Sequence, residues 1–242
     1  MSTITLAGDY RSALTHFALY GLAMLTEVHH PGAVTLGWSD EATPKAQLNL
    51  EGIGLQTVAE HVAQYSTQLA SADSWVAVNN EYGSGKKKAI FSPFSPRIRG
   101  IDSQVNPDDW NNHQKARFDA LDRLNLDSDL LSLRWIAGLG EAAYWRFSNK
   151  EKRPDHGASR WEMKTRNKGE EFVQHRLRPL CKELSKWSVE DISSGVIGAT
   201  LRDTVGKNSA DSRTSTGFTP PGPADVALTF SALLGIACFP VV

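Results

Sequence analysis

The chain has 242 residues, enough to bury a hydrophobic core as one large domain or as a domain with a sizeable insertion. Its 26 Lys and Arg residues against 27 Asp and Glu residues give a net charge of −1, which excludes a global electrostatic attraction to nucleic acid or to an anionic membrane. Two cysteines are too few for a zinc cluster or a disulfide framework, and the lack of a secretory signal pattern predicts a cytoplasmic protein.

The first 70 residues predict a strand, a helix, a hairpin and a second helix. Residues 3–7 favour a strand, and Asp9 is expected to cap a helix that ends at Pro31-Gly32. Alternating apolar residues at Val34–Trp38 and Ala46–Leu50, on both sides of a polar turn, predict a hairpin. Apolar residues at helical spacing over residues 55–69 predict the second helix.

The middle of the chain predicts two more strands and two long helices. The strands are residues 75–78 and Ala89–Phe91 around a loop, and the helices are residues 107–124 and 129–147. Further along, the sequence predicts a short strand, a helix and a long loop rich in Ser, Thr, Gly, Asn and Pro. These lie at residues 160–164, 169–187 and 204–223.

The last apolar run, residues 226–242, predicts a buried helix. Its 17 residues fall short of the about 20 apolar residues that a spanning helix needs. The run stays apolar to Val242, which favours a chain that continues beyond this point or an end that docks on a partner.

Together these elements predict an α+β fold: a mixed sheet with flanking helices and a helical insertion. We expect one integrated domain in three parts. They are an α/β N-terminal part at residues 1–105 with a basic hairpin, the helical insertion at 106–148, and a C-terminal part at 149–242.

Basic residues are concentrated in particular segments. Residues 86–99 carry five basic residues and no acid, and residues 146–182 carry eleven bases against five acids. Between them, residues 100–145 carry eight acids against four bases. Since the net charge is near zero, any binding of nucleic acid is expected to depend on these local patches.

Two sets of residues are therefore candidates for nucleic-acid contacts. The first set, expected to contact the phosphate backbone, is Lys86, Lys87, Lys88, Arg97 and Arg99. The second set, expected to form a groove or guide-handle surface, is Arg160, Lys164, Arg166, Lys168, Lys207, Asn208 and Arg213. The Asn208 amide offers a donor and an acceptor, which suits a base edge.

Catalytic motifs are weak by comparison. Gly83-Ser-Gly-Lys86 lacks the first Gly and the final Ser or Thr of a phosphate-binding loop, which excludes a nucleoside triphosphatase of that type. Adjacent His29 and His30 suit a helix C-terminus better than a metal site. We expect no catalytic residue, no metal and no cofactor.

A metal-dependent nuclease stays open as an alternative. Asp155, Glu162 and Lys164 resemble the carboxylate and carboxylate-x-lysine arrangement in which two carboxylates hold Mg²⁺ and a lysine steadies the attacking water. The arrangement requires Asp155 on a strand, whereas residues 153–157 are typical of a turn.

Several segments carry a resemblance to a known family. They are residues 13–23, Arg160-Trp-Glu-Met-Lys164, Val205-Gly-Lys-Asn-Ser209 with Asp211-Ser-Arg213, and Pro220-Pro-Gly-Pro-Ala-Asp225 with the apolar helix after it. Together they resemble CRISPR-associated proteins of the actinobacterial type I-U systems, also called I-G. The resemblance is to the compact large-subunit-like component of the Cascade effector complex. It covers both ends of the chain and is thin across residues 40–150.

The resemblance implies a non-enzymatic subunit of a crRNA-guided surveillance complex. Such subunits lie near the 5′ end of the guide, help recognise the short flanking motif and help stabilise the opened DNA strands. The implied partners are crRNA, target double-stranded DNA, other Cascade backbone subunits and a recruited helicase-nuclease, with no membrane. A structural assembly protein whose basic patches meet acidic partners is the third possibility.

Overall fold

The computed structural model describes residues 1–82, 89–95, 107–139, 145–148, 151–154, 172–204 and 225–238. They belong to two compact units. The first unit combines Met1–Gln68 with Leu180–Val242, and the second is Leu69–Pro179. Helices and small sheets occur together, which confirms the predicted α+β class.

The sheet of the first unit has three antiparallel strands in the order β1, β3, β2. They are β1 (Ser2–Thr5), β2 (Val34–Trp38) and β3 (Ala46–Leu50). Leu48 in the central strand pairs with Ile4 on one side and with Leu36 on the other. Alternate residues of β3 are fully buried, as expected for a strand with one face on the core. The predicted hairpin is confirmed.

Helix α1 (Ala13–His29) begins later than expected. Its N-cap is Ser12, whose hydroxyl accepts a hydrogen bond from the Thr15 amide at 3.3 Å. The prediction that Asp9 caps the helix is wrong, because the Asp9 carboxylate instead accepts from the Arg11 amide and pairs with the Arg11 guanidinium at 2.6 Å. The helix ends before Pro31-Gly32, as predicted.

Helix α7 (Val226–Cys238) is the buried helix that the apolar run predicts. It packs closely on α1 through two glycines. A Cβ atom on Gly21 would overlap the Ser231 carbonyl oxygen, and one on Gly235 would overlap the Phe17 carbonyl oxygen. The two backbones are therefore in direct contact at the crossing.

Among the described residues, no helix combines the length and the apolar composition needed to cross a membrane.

Three more helices of the first unit lie within the described residues. Helix α2 (Leu55–Ala70) confirms the second predicted helix, α5 spans Arg178–Leu184, and α6 spans Val189–Ile197. A capping box starts α6: Ser188 accepts from the Asp191 amide at 3.1 Å, and the Asp191 carboxylate accepts from the Ser188 amide.

In the second unit, residues 75–78 do not form the predicted strand. Trp75–Ala77 is a short 3₁₀ turn in which Trp75 packs edge-on against Phe94 and Trp135, at 5.7 and 6.2 Å between ring centroids. The apolar run at 75–78 thus serves the core without entering a sheet. The strand of the hairpin is instead β4 (Asn80–Tyr82), which pairs with β5 (Ala89–Phe91).

The helical part of the second unit is α3 (Pro107–Leu126) and α4 (Leu130–Leu139). Asp129 starts α4 by accepting from the Ser132 amide at 2.9 Å. The predicted continuation of this helix to residue 147 is wrong, because β6 (Trp145–Ser148) pairs antiparallel with β7 (Glu151–Pro154).

A π-helical turn (Val173–Leu177) leads into α5, so the predicted helix at 169–187 is confirmed from Phe172 to Leu184. The strand expected at 160–164 and the loop expected after Thr204 lie outside the described residues.

Candidate nucleic-acid interface

All of the proposed nucleic-acid contacts lie outside the described residues. They are Lys86, Lys87, Lys88, Arg97, Arg99, Arg160, Lys164, Arg166, Lys168, Lys207, Asn208 and Arg213. The nuclease alternative, at Asp155, Glu162 and Lys164, lies outside them as well. The structure does describe the residues on both sides of two candidate segments, residues 83–88 and 205–224.

The lysine-rich segment at 83–88 connects two paired strands. Asn80 pairs with Phe91, Glu81 with Ile90 and Tyr82 with Ala89. Directly opposed residues on an antiparallel pair lie about 5 Å apart. Both ends of the segment therefore emerge from the same point of the second unit.

Tyr82 ties this hairpin to α3. Its side chain is 3 % exposed, and its hydroxyl lies 3.0 Å from Nδ1 of His113. The Tyr82 ring also lies near Phe91 across the strand pair, at 6.0 Å between centroids. The last residue before the lysine-rich segment is thus held by a buried polar contact and by aromatic packing.

His113 is fully buried, and its burial has an electrostatic consequence. Desolvation, with a smaller contribution from the charge of Arg117, lowers the pKa of His113 to about 4. The imidazole is therefore neutral at physiological pH.

Arg117 holds the other side of the hairpin. Its guanidinium donates a hydrogen bond to the Pro93 carbonyl oxygen at 3.1 Å and lies 5.2 Å from the centroid of the Phe94 ring. Only 6 % of Arg117 is exposed, so this cation is committed to the interior of the second unit and is not offered to a ligand.

The segment at 205–224 also begins and ends at one place, here in the first unit. The Arg202 amide donates to the Asp225 carboxylate at 3.0 Å, and the Val226 amide donates to the Arg202 carbonyl oxygen at 3.0 Å. These contacts bring together residues 23 positions apart in sequence. We refer to Arg202, Thr204 and Asp225 as the loop base.

Asp225 is the centre of the loop base. It is fully buried and caps α7 by accepting from the Ala227 amide at 2.8 Å. Burial raises the pKa of Asp225, and its hydrogen bonds from Arg202 and Ala227 oppose that rise. Gly195 of α6 makes room for this carboxylate, since a Cβ atom there would overlap it.

The side chains of the loop base hold it on α5 and α6. The Arg202 guanidinium pairs with Asp191 at 2.5 Å and lies 4.4 Å from the centroid of the Trp187 ring. The Thr204 hydroxyl donates to Glu183 at 2.8 Å. The hydrogen bond from Arg202 is the main cause of the lowered pKa of Asp191.

A group of histidines lies at the C-terminal end of α1. The His29 ring stacks on His61 of α2 at 4.2 Å between centroids, and the His30 ring lies 5.1 Å from it. Burial and the neighbouring His29 and His30 lower the pKa of His61. Within the described ranges, no three His, Cys, Asp or Glu side chains are arranged to hold a metal ion.

Sequence reasoning missed the residues that support the two segments. Asp225 directly precedes an apolar run, which is a recognisable N-cap signal. His113 and Arg117 are four residues apart and so share a face of α3, but no sequence pattern shows which strands they contact.

Comparisons with protein families, with curated proteins and with solved structures found no match for this chain.

Proposed function

We propose that this chain is a non-catalytic, nucleic-acid-binding subunit of a crRNA-guided type I CRISPR surveillance complex. The observation that supports the proposal most is the place of Lys86, Lys87 and Lys88, between paired strands whose residues are anchored on α3. Three consecutive cations that follow a fixed stem suit a phosphate backbone, because each ammonium acts as a point charge without base selectivity.

Lys86, Lys87 and Lys88 are consecutive, so three positive charges are concentrated in one short segment. Residues 83–88 span at most about 20 Å when fully extended, and both of their ends are held at the Tyr82–Ala89 pair. In a chain with a net charge of −1, such a local concentration is what would attract a polyanion.

The loop base supports a second contact. Lys207, Asn208 and Arg213 lie between Thr204 and Asp225, both of which are anchored in the first unit. We assign this segment to a groove or guide-handle contact, in which Asn208 reads a base edge and the cations contact phosphates. The same role is proposed for Arg160, Lys164, Arg166 and Lys168, and Arg97 and Arg99 join the backbone contacts.

In such a complex the guide RNA reads the target by base pairing. The protein then needs only backbone charge and a short contact to the flanking motif, which requires no catalytic residue in this chain. Its partners are crRNA, target double-stranded DNA and the other Cascade subunits, and a recruited helicase-nuclease cuts the DNA.

The first experiment is purification of the tagged full chain from cells that carry a CRISPR locus of this type. We expect a defined small RNA and several proteins to co-purify. Purification of a lone monomer would contradict the proposal. Protein association that survives nuclease treatment without any RNA would favour the assembly role, and Mg²⁺-dependent cleavage lost in E162A would favour the nuclease.

The second experiment measures binding of single-stranded RNA over a salt series. The K86A/K87A/K88A variant is expected to bind more weakly across sequences and with a shallower salt dependence, because up to three phosphate contacts are lost. The matched control is K45A/K115A/K186A, which removes the same charge outside both basic segments and should bind like the wild type. Equal salt slopes for both variants would contradict the proposal.

A further inference from the structure

Strand β2 lies at an edge of the sheet in the first unit, with β3 on one side of it. Two hydrogen bonds at its ends show which way its backbone groups point. The Glu51 amide donates to the Ala33 carbonyl oxygen at 3.0 Å. The Ser39 amide donates to the Lys45 carbonyl oxygen at 2.9 Å. Hydrogen-bonded pairs alternate along an antiparallel ladder, so the odd-numbered residues from 33 to 39 are the ones that bond to β3.

The backbone groups of Val34, Leu36 and Trp38 therefore point away from β3. Within the described residues, none of these three amides donates to another part of the chain. The other edge of the sheet differs, because the Ala7 amide shortly after β1 donates to the Val196 carbonyl oxygen of α6 at 3.0 Å. The β2 edge thus presents donors and acceptors at three alternate residues, with which a further strand can pair.

The same three residues carry apolar side chains on one face of the sheet. Side chains alternate between the two faces of a strand, so Val34, Leu36 and Trp38 share a face. That face is the core face, since Leu36 pairs with Leu48, which is fully buried. Trp38 likewise pairs with the fully buried Ala46. Leu36 is nevertheless 45 % exposed and Trp38 is 37 % exposed. The apolar face of the sheet therefore extends to an edge that water reaches.

The β2 edge lacks the features that usually keep sheet edges apart. Its sequence, Val-Thr-Leu-Gly-Trp, contains no Lys, Asp, Glu or Pro, although edge strands commonly carry a charge or a proline that blocks pairing. Its register with β3 is continuous along the whole strand, so no bulge interrupts it. The His16 ring of α1 lies against the Trp38 ring, at 4.5 Å between centroids. An edge that is already formed loses little conformational freedom when it pairs with another strand.

Strand β2 is complementary to a second copy of itself. With a twofold axis at Leu36, this leucine meets its own counterpart, and Val34 meets Trp38 of the second copy. These are the residues whose backbone groups point outward, so each of these pairs exchanges two hydrogen bonds. The side chains that meet are all apolar, and no like charges oppose each other within the strand. An unrelated peptide would satisfy the backbone without this match of side chains.

The residues on both sides of β2 match in charge under the same axis. The exposed Asp40 and Glu41 follow the strand, and His29 and His30 precede it at the end of α1. Because the paired strands run antiparallel, the acidic end of each copy comes to the histidine end of the other. Glu27 also lies at the histidine end, where its carboxylate accepts a hydrogen bond from a turn amide at 2.7 Å. A second copy therefore fits this edge better than a strand of arbitrary sequence does.

We propose that β2 is a dimerisation edge, at which two copies of this chain pair antiparallel about a twofold axis at Leu36. The two three-stranded sheets then form one continuous sheet. The contact involves a five-residue strand from each copy, which is less than an interface of standard size provides. The dimer should therefore be weak, with a dissociation constant on the order of 10–100 µM. This inference goes beyond the proposed function and does not depend on it.

The first test is sedimentation equilibrium of the full chain over a micromolar to millimolar concentration series. L36K and L36E each set two like charges against each other at the axis, so each variant alone should have a dissociation constant at least about tenfold higher. An equimolar mixture of the two sets opposite charges against each other and should restore association to about the wild-type level. The matched control is L201K, which should associate like the wild type, since Leu201 is 49 % exposed elsewhere in the first unit.

The second test uses the wild type alone and follows amide hydrogen exchange by NMR. As the protein concentration rises, exchange of the Val34, Leu36 and Trp38 amides should slow, by about tenfold when nine-tenths of the chains are paired. The amides of Thr35 and Gly37 bond to β3 in the single chain, so their exchange should not depend on concentration.

A wild type that stays monomeric up to millimolar concentration would overturn the dimer. Self-association that L36K and L36E leave unchanged would show that the contact lies elsewhere than β2. Variants that dissociate and are not rescued by mixing would overturn the twofold register, in favour of an edge that pairs with a different sequence. Urea unfolding shows whether both variants fold, and if either does not, the exchange data on the wild type decide whether β2 pairs.

Discussion

Gly21 of α1 lies directly against the backbone of Ser231 in α7, so that a methyl group on Gly21 would overlap the Ser231 carbonyl oxygen. A backbone atom cannot move aside as a side chain can. The contact therefore sets how closely the two helices approach, and a change of one methyl group tests it.

Replacing Gly21 by Ala should destabilise the first unit. In an exposed helix this change favours folding, but here overpacking should cost about 3 kcal/mol, the upper end of the usual range. Urea unfolding measures the loss. The control is G54A, where a Cβ atom meets open space and stability should change by less than about 1 kcal/mol. Equal stability of G21A and the wild type would show that the helices can separate without cost.

Because of His113, the folded protein should be less stable in mild acid than at neutral pH. Its pKa falls from 6.5 to about 4 on folding, so the unfolded chain takes up a proton at a higher pH than the folded protein does. The stability that His113 contributes is thus present above pH 6.5 and is lost as the pH falls toward 4. The full shift corresponds to at most about 3 kcal/mol.

The H113N variant isolates this effect, because asparagine does not titrate. Urea unfolding of the wild type and of H113N, at neutral pH and at a pH of about 5, gives two differences in stability. We expect the free energy of unfolding of the wild type, relative to that of H113N, to be lower at a pH of about 5 than at neutral pH. A difference that does not change with pH would mean that His113 takes up its proton equally in the folded and unfolded states.

Asp225 should be important for the stability of α7 and of the loop base. D225A removes the N-cap of α7 and the acceptor for the Arg202 amide, which should cost about 1–2 kcal/mol or more. D225N keeps an oxygen acceptor and should cost less, since burial already disfavours the charged carboxylate. Thermal unfolding ranks the variants, and equal stability of D225A and D225N would contradict the cap.

Cys181 should be unreactive in the folded protein. It is fully buried, and burial raises the pKa of its thiol well above the usual range, so little thiolate is present. In a C238S background, iodoacetamide should label Cys181 only after unfolding by urea. Labelling of the native protein at the rate of a free thiol would contradict its burial.

The first unit was largely predictable because its signals are local. Alternating residues on both sides of a polar turn indicated β2 and β3, and Pro31-Gly32 marked the end of α1. The start of α1 was misplaced because Asp9 and Ser12 are both good caps, and only the folded chain shows that Asp9 is engaged by Arg11.

The second unit was harder to predict because distant residues decide its local structure. The apolar run at 75–78 suits a strand, but packing of Trp75 on Phe94 and Trp135 holds it in a 3₁₀ turn. The apolar composition after Leu130 gave no sign that a strand replaces the helix by Trp145. An element with ambiguous local preference takes the form that its neighbours impose.

For the candidate interface, the composition identified the basic segments but not the contacts that hold the residues on both sides of them. Runs of lysine and arginine are visible in any sequence. The contacts that hold their flanks join residues far apart in the chain, such as Tyr82 with His113 and Arg202 with Asp225, separated by 31 and 23 positions. No spacing rule relates such pairs before the fold is known.

The hydrogen bond between Arg202 and Asp225 means that the segment between them can be replaced as a unit. Because its two ends leave the first unit at one point, an insert of another length or sequence can replace it without shifting α6 or α7. Doubling such a loop costs only about 0.6 kcal/mol of closure entropy. The sequence between Arg202 and Asp225 can therefore change while the elements on both sides of it stay the same.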